Sequence, residues 1–274
     1  MENFPQFIYG TAWKEEKTAQ LTFQALKAGF RAIDTANQHK HYFEEGVGLG
    51  IKKFLELPDS PKREDLFLQT KFTYARGQDH RKPYRDTDSF AQQVADSFAS
   101  SLVHLGTHYI DSYVLHGPYS GRSIGREDIE TWSAMEKLVE TKQVKHLGVS
   151  NVSPEQLISL LEKVKTKPSF VQNRCYARFG WDKEVREICK NEGITYQGFS
   201  LLTANLDELS SPMFLEMAEK YQKTIPQVAF RFANQLNMIC LTGTTDPKHM
   251  EEDLAIFDFR LDDSEVFQLE LDAF

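Results

Sequence analysis

Three residues of complementary chemistry stand at the ends of short apolar runs: Asp34 closes RAID, Lys71 follows LFLQT, and His116 follows IDSYVL. A lysine held away from water needs a counter-charge, which an aspartate supplies, and a nearby histidine can donate to or polarise a bound oxygen. Such a set suits proton handling beside a polarised group. Other runs also end on polar residues: Ser150 with Asn151, Gln172 with Asn173, Ser200, and the stretch 242–245. Each alone fits an ordinary helix cap or loop contact. Three ionisable groups at neighbouring strand ends point jointly to one mouth.

The elements that would position them alternate along the whole chain. Strand-like runs occupy 7–10, 31–34, 66–71, 110–115, 144–149, 170–173, 195–199 and 238–241. Segments of helical period lie at 17–28, 43–55, 89–105, 127–141, 154–164, 182–191, 212–221, 225–237 and 247–256. Ser153 before Pro154, and Asp246 before Pro247, read as caps followed by proline at the first helical position. Eight alternations in 274 residues predict an α/β fold, a (β/α)8 TIM barrel formed by residues 1–274 as a single domain. A doubly wound open sheet is disfavoured, because no GxGxxG turn is present. The near match GVGLG, at 46–50, falls inside a helical pattern and reads as close helix packing.

The net charge of -8 disfavours nucleic acid and anionic membrane surfaces as partners. The N-terminus MENFPQFIYG lacks the basic start and apolar run of a signal peptide, and no apolar stretch approaches the roughly 20 residues of a membrane span. A cytoplasmic location is expected. Cys175, Cys189 and Cys240 have no CxxC spacing and are expected to be reduced, buried thiols that hold no metal. A metal-dependent hydrolase would need more ligands than Asp34 and His116, and Lys71 would compete with the ion.

The motifs YGTAW, GFRAIDTANQHKHY, LFLQTKF, YIDSYVLHGP, GVSN, PSFVQ and TGTTDPKHMEEDL, in this order, resemble those of the aldo-keto reductases over nearly the whole chain. The resemblance implies metal-free reduction of a small-molecule aldehyde or ketone by NAD(P)H, commonly by a monomer, through an Asp, Tyr, Lys, His tetrad. Asp34, Lys71 and His116 match their places. The tyrosine is displaced: counting from the aspartate gives His39, counting back from EEGVG gives His41, and Tyr42 lies next to it. Tyr42 is taken as the acid, since a two-residue insertion can rotate a loop position. In that reading Lys71 lowers the phenol's pKa, Asp34 holds Lys71, and His116 orients the carbonyl.

For the cofactor, the resemblance implies contacts from Thr11, Ser150, Asn151 and Gln172, stacking on Phe199 where the family carries tyrosine, and Ser200 and Leu202 near the pyrophosphate. Gly243, Thr244, His249, Glu252 and Asp253 would meet the adenosine phosphate. Gly243 and His249 stand where NADPH-preferring members carry lysine and arginine, with Lys248 the nearest cation. NADPH is therefore favoured only slightly, and NADH use is plausible. Trp13, Phe72, Tyr74, Tyr119 and Trp181 follow strand ends and are candidate pocket walls, Trp13 and Tyr119 foremost. The cation-rich loop 76–86 reads as a solvated loop. A cofactor-binding sensor that has lost the acid is the alternative reading of the displaced tyrosine.

Overall fold

The computed structural model describes residues 4–271. The outermost residues of the 1–274 span, including the first three of the N-terminal segment, lie outside the described residues. Eight strands run in chain order: β1 Phe7–Gly10, β2 Ala32–Asp34, β3 Phe67–Phe72, β4 Ile110–Leu115, β5 Val144–Ser150, β6 Phe170–Arg174, β7 Thr195–Phe199 and β8 Ile239–Thr242. Each pairs in parallel with the next, and β8 returns to β1 with Tyr9 opposite Thr242, so the sheet closes into a barrel. These strands are buried on both faces and therefore read as near-continuous apolar runs.

The helices among the described residues are α1 Thr18–Ala28, α2 Glu44–Leu55, α3 Phe90–Leu105, α4 Arg126–Glu140, α5 Pro154–Lys163, α6 Lys183–Glu192, α7 Pro212–Tyr221, α8 Ile225–Gln235, α9 Pro247–Leu254 and α10 Asp263–Leu271. The expected caps form: the Ser153 hydroxyl accepts from the Gln156 amide, and Asp246 accepts from the Lys248 amide. Each such cap contributes about 1 kcal/mol. GVGLG lies within α2, where a Cβ on Gly48 would run into the His104 carbonyl and one on Gly50 would meet the Ala19 carbonyl at 2.6 Å. These glycines let α2 press against α1 and α3.

The sequence pattern gave no sign of α10. Only Val266 and Leu269 offer it buried apolar side chains, and ion pairs hold much of the rest, Arg186 to Glu270 and Lys220 to Glu265. Among the described residues no helix is long and apolar enough to cross a membrane. All three cysteines are free and buried.

Candidate active site

The C-terminal ends of the strands open on a cleft of about 900 Å3. Beneath its floor lies Lys71, a fully buried β3 residue. Its Nζ donates to both Asp34 oxygens, at 2.7 and 2.6 Å, and to the Thr35 carbonyl at 2.8 Å. Burial draws the ammonium below the ordinary lysine pKa, and Asp34 opposes that fall. Asp34 is held from the other side by amides: Gln69 Nε2 donates to Oδ1 at 2.7 Å and Gln172 Nε2 at 3.0 Å. Gln197 links these two, so three strands share a buried ring of side-chain amides around one carboxylate.

Of the three residues that compete for the acid position, Tyr42 and His41 both line the cleft, and Tyr42 has Lys71 Nζ 5.2 Å from its ring centroid. The His41 ring packs on Trp13 at 4.0 Å, and His39 lies 3.8 Å from Glu45. A backbone bond from the Trp13 N–H to the His41 carbonyl, 2.7 Å, ties the β1 loop to the loop that carries Tyr42. Burial first and the Asp34 charge second push the Tyr42 phenol well above its usual pKa. The phenol is therefore protonated at ordinary pH, and Lys71 stands against its ring while bonded to Asp34.

The His116 ring sits edge-on to Tyr42, with centroids 5.9 Å apart. Burial, then the Lys71 and His41 charges, bring its pKa down to about 3, so the ring is neutral at ordinary pH. Thr73 Oγ1 lies 2.7 Å from its Nδ1. When that hydroxyl donates, the ring proton stands on Nε2 and is available to an oxygen in the cleft.

Along the cleft wall, Asn151 donates to the His116 carbonyl at 2.8 Å and to Ser150 Oγ at 3.0 Å. Gln172 commits its amide hydrogens to Asp34 and Gln197. Both side chains thus leave their carbonyl oxygens, which accept N–H groups, for a ligand. Trp13, Asn151 and Ser200 all line the cleft with left-handed backbone, at φ 61°, 56° and 57°. Strained non-glycine residues of this kind gather where a site has to be shaped.

The aldo/keto reductase family model matches residues 8–271. This chain belongs to the aldo/keto reductase family. It is 30% identical over 248 residues to a glyoxal reductase of Bacillus subtilis, covering 90% of this chain and 80% of the relative. It is 29% identical to a 9,11-endoperoxide prostaglandin H2 reductase of Trypanosoma cruzi, across 97% of this chain and 87% of that one. An aldo/keto reductase from Brucella melitensis superposes with a TM-score of 0.83 at 29% identity, covering 99% and 96% of the two chains. The protein is an oxidoreductase that reduces carbonyl groups, and the family works with nicotinamide cofactors.

The cleft of this aldo/keto reductase suits such a cofactor. Phe199, Ser200, Leu202, Gly243, Thr244, His249, Glu252 and Asp253 line its far end, with Ser150, Asn151 and Gln172 nearer Tyr42. Two buried polar groups there lack an ionic partner among the described residues. Lys14 donates to the Gly243 carbonyl at 2.7 Å, and burial brings its pKa down to about 8. Asp253 is raised to about 6 by burial, and its Oδ2 has no hydrogen-bond partner. An anionic group beside Lys14 and a hydroxyl beside Asp253 would satisfy both. Lys14 was missed in the sequence because a lysine after a tryptophan in a loop reads as solvated; it is covered only when β8 closes on β1. Arg174, 5.6 Å from the Phe199 ring, is a second cation of the cleft that the sequence did not single out.

Several anticipated contacts lie elsewhere. Thr11 is fully buried and donates to the Asp34 carbonyl, so it buttresses β2 instead of lining the cleft. Tyr119 packs on Tyr74 and Phe90, away from the cleft. Phe72 packs on Tyr74 and Tyr84, outside the cleft lining, and Trp181 is buried against Phe232. Tyr74 borders a smaller cavity of about 330 Å3 beside His116, Gly117 and Arg76. Lys248 is exposed and pairs with Glu252 at the edge of the cleft. In the 76–86 loop, Arg81 pairs with Asp79 and Lys82 with Asp86, while Arg76 donates to the Pro118 carbonyl and Arg85 pairs with Asp88.

Proposed function

We propose that the chain reduces a small aldehyde or ketone with Tyr42 as the proton donor, His116 orienting the carbonyl and the Lys71–Asp34 pair holding the charge left behind. The observation that carries this reading is the Tyr42 ring against Lys71, while His41, which also lines the cleft, is stacked on Trp13. The nicotinamide, when bound, supplies the hydride. The remaining work falls to the protein. A neutral His116 donates through Nε2 to the carbonyl oxygen and fixes its direction. Tyr42 holds its proton at neutral pH, and an alkoxide, a far stronger base than a phenolate, takes it. The phenolate that remains faces the Lys71 ammonium, which stabilises it until solvent restores the proton.

Ser150, Asn151 and Gln172 would hold the carboxamide, and Phe199 would take the ring face. Lys14 would meet the pyrophosphate, and Ser200 and Leu202 would flank it. At the adenosine end two carboxylates, Glu252 and Asp253, accept from a ribose hydroxyl more readily than they tolerate a 2'-phosphate, while Thr244 and His249 are the groups that would receive that phosphate. This mixture supports use of both NADPH and NADH, with at most a slight preference for NADPH. The three free thiols suit a cytoplasmic protein, and a site drawn from one chain's strand ends is complete in a monomer.

The test is quenching of tryptophan fluorescence by NADPH and NADH, with Trp13 in the cleft as reporter, followed by turnover with small aldehydes. Binding with turnover is expected. Binding without turnover across a broad panel would favour a cofactor sensor, and absence of binding would overturn the assignment of the far end.

A further inference from the structure

Behind the Tyr42 loop lies a group of side chains that the reductase chemistry does not use. His39 precedes Tyr42 by three residues, Glu45 lies in the first turn of α2, and His104 lies in the last turn of α3. One ligand atom from each falls within 4.8 Å of the others, and all three side chains are half-buried. We propose that His39, Glu45 and His104 bind one divalent transition-metal ion of the zinc class, which ties the Tyr42 loop to α3.

Three features support a metal over a plain ion pair. First, the spacing about Glu45 is close to what zinc needs. Zinc bonds of about 2.0–2.1 Å in tetrahedral array put neighbouring ligand atoms about 3.3 Å apart. His104 Nε2 lies 3.2 Å from Glu45 Oε1, and His39 Nε2 lies 3.8 Å from the same oxygen, too long for a hydrogen bond between them. Second, the histidine is already oriented. His104 Nδ1 is 2.9 Å from Glu44 Oε2, and the other Glu44 oxygen accepts from Thr70 at 2.5 Å. A carboxylate on one imidazole nitrogen, itself anchored, orients the ring and raises the basicity of the other nitrogen, which lies 3.3 Å from Ser100 Oγ and would exchange that contact for the ion. Third, Glu45 Oε2 is buried without a hydrogen-bond partner, and a cation held by both oxygens of this carboxylate would satisfy it. Two imidazoles with one carboxylate favour Zn2+, Co2+ or Ni2+ over Mg2+ and Ca2+, which prefer oxygen ligands.

The test uses the full chain without an affinity tag, freed of metal by chelator, titrated with Co2+ by visible absorption and with Zn2+ against a chromogenic chelator. One ion per chain is expected, with intense tetrahedral Co2+ bands that Zn2+ abolishes and excess Mg2+ does not. His39→Ala and His104→Gln should each remove the bands, and Glu44→Gln should weaken binding about 10–100-fold, the usual loss for an outer-shell partner. Because His39 lies in a loop, its variant reports on the site even where a helix variant folds poorly. Hydrogen exchange of amides 39–43 should slow when Zn2+ is added to the wild type and stay unchanged in His39→Ala. Absence of a tetrahedral Co2+ signal, or binding that survives both histidine variants, would overturn the proposal and leave His104 as the ion-pair partner of the two glutamates. None of these readouts uses turnover, so the result stands apart from the fate of the reductase assignment.

Discussion

Replacing Tyr42 with phenylalanine removes one oxygen that makes no hydrogen bond to a described residue, while the ring and its packing against Lys71 and His116 remain. The effect on folding should therefore stay within about 0.5 kcal/mol, the range of a substitution that breaks no buried contact. Turnover should respond very differently. His116, with a pKa of about 3, carries no surplus proton at neutral pH, and His41 is stacked on Trp13, its own pKa lowered by burial. With no other acid in place, kcat should fall by the value of general-acid catalysis, about 10^2–10^4-fold, or about 3–5 kcal/mol of barrier. Steady-state oxidation of the reduced nicotinamide by an aldehyde, together with cofactor titration and urea unfolding of the same sample, separates the two quantities. Turnover within tenfold of wild type at unchanged cofactor affinity would refute the assignment and direct attention to His41.

Lys71→Met should strip the Asp34 carboxylate of its cation and cost about 3–5 kcal/mol of stability. Adding Asp34→Asn should recover part of that loss by urea midpoint and none of the turnover; recovery of turnover would mean the pair acts only structurally. His116 gives a pH signature. Its folded pKa lies near 3 against an ordinary 6.5, so between those values the unfolded chain binds the extra proton and stability falls as pH falls. The urea midpoint of wild type should drop more between pH 7 and pH 5 than that of His116→Gln, and equal drops would contradict the burial of a neutral ring. His249→Arg should tighten NADPH about tenfold, the worth of one charge-assisted bond of about 1.5 kcal/mol, and leave NADH unchanged; equal effects would mean the side chain does not meet the 2'-phosphate.

The barrel was legible because parallel strands buried on both faces are written as apolar runs, and because caps such as Ser153–Pro154 punctuate the helices between them. Strand-end reasoning likewise found Asp34, Lys71 and His116. It gave each residue's position along the strand without its direction. In β3, Gln69 and Lys71 reach Asp34, while Thr70 reaches Glu44 on α2 and Phe72 packs on Tyr84. A strict period of two from Lys71 would have removed Phe72 from the pocket walls. Tyr42 was less legible, since a loop with an insertion has no period to count on, and its position depends on the Trp13–His41 link between distant segments. Lys14 and α10 were hidden for a related reason: a distant strand covers the first, and salt bridges more than an apolar stripe hold the second.

The amide ring around Asp34 also bears on the order in which the chain assembles. Its members come from β2, β3, β6 and β7, with partners up to 138 residues apart in sequence. A half-barrel of the first four strands would hold Asp34 and Lys71 but neither Gln172 nor Gln197, and the pair would stay wet. Only closure of the second half dries the carboxylate and its lysine together. The charges at the centre thus make the last strands obligatory, so that partly folded or truncated chains can hold secondary structure yet have no working site.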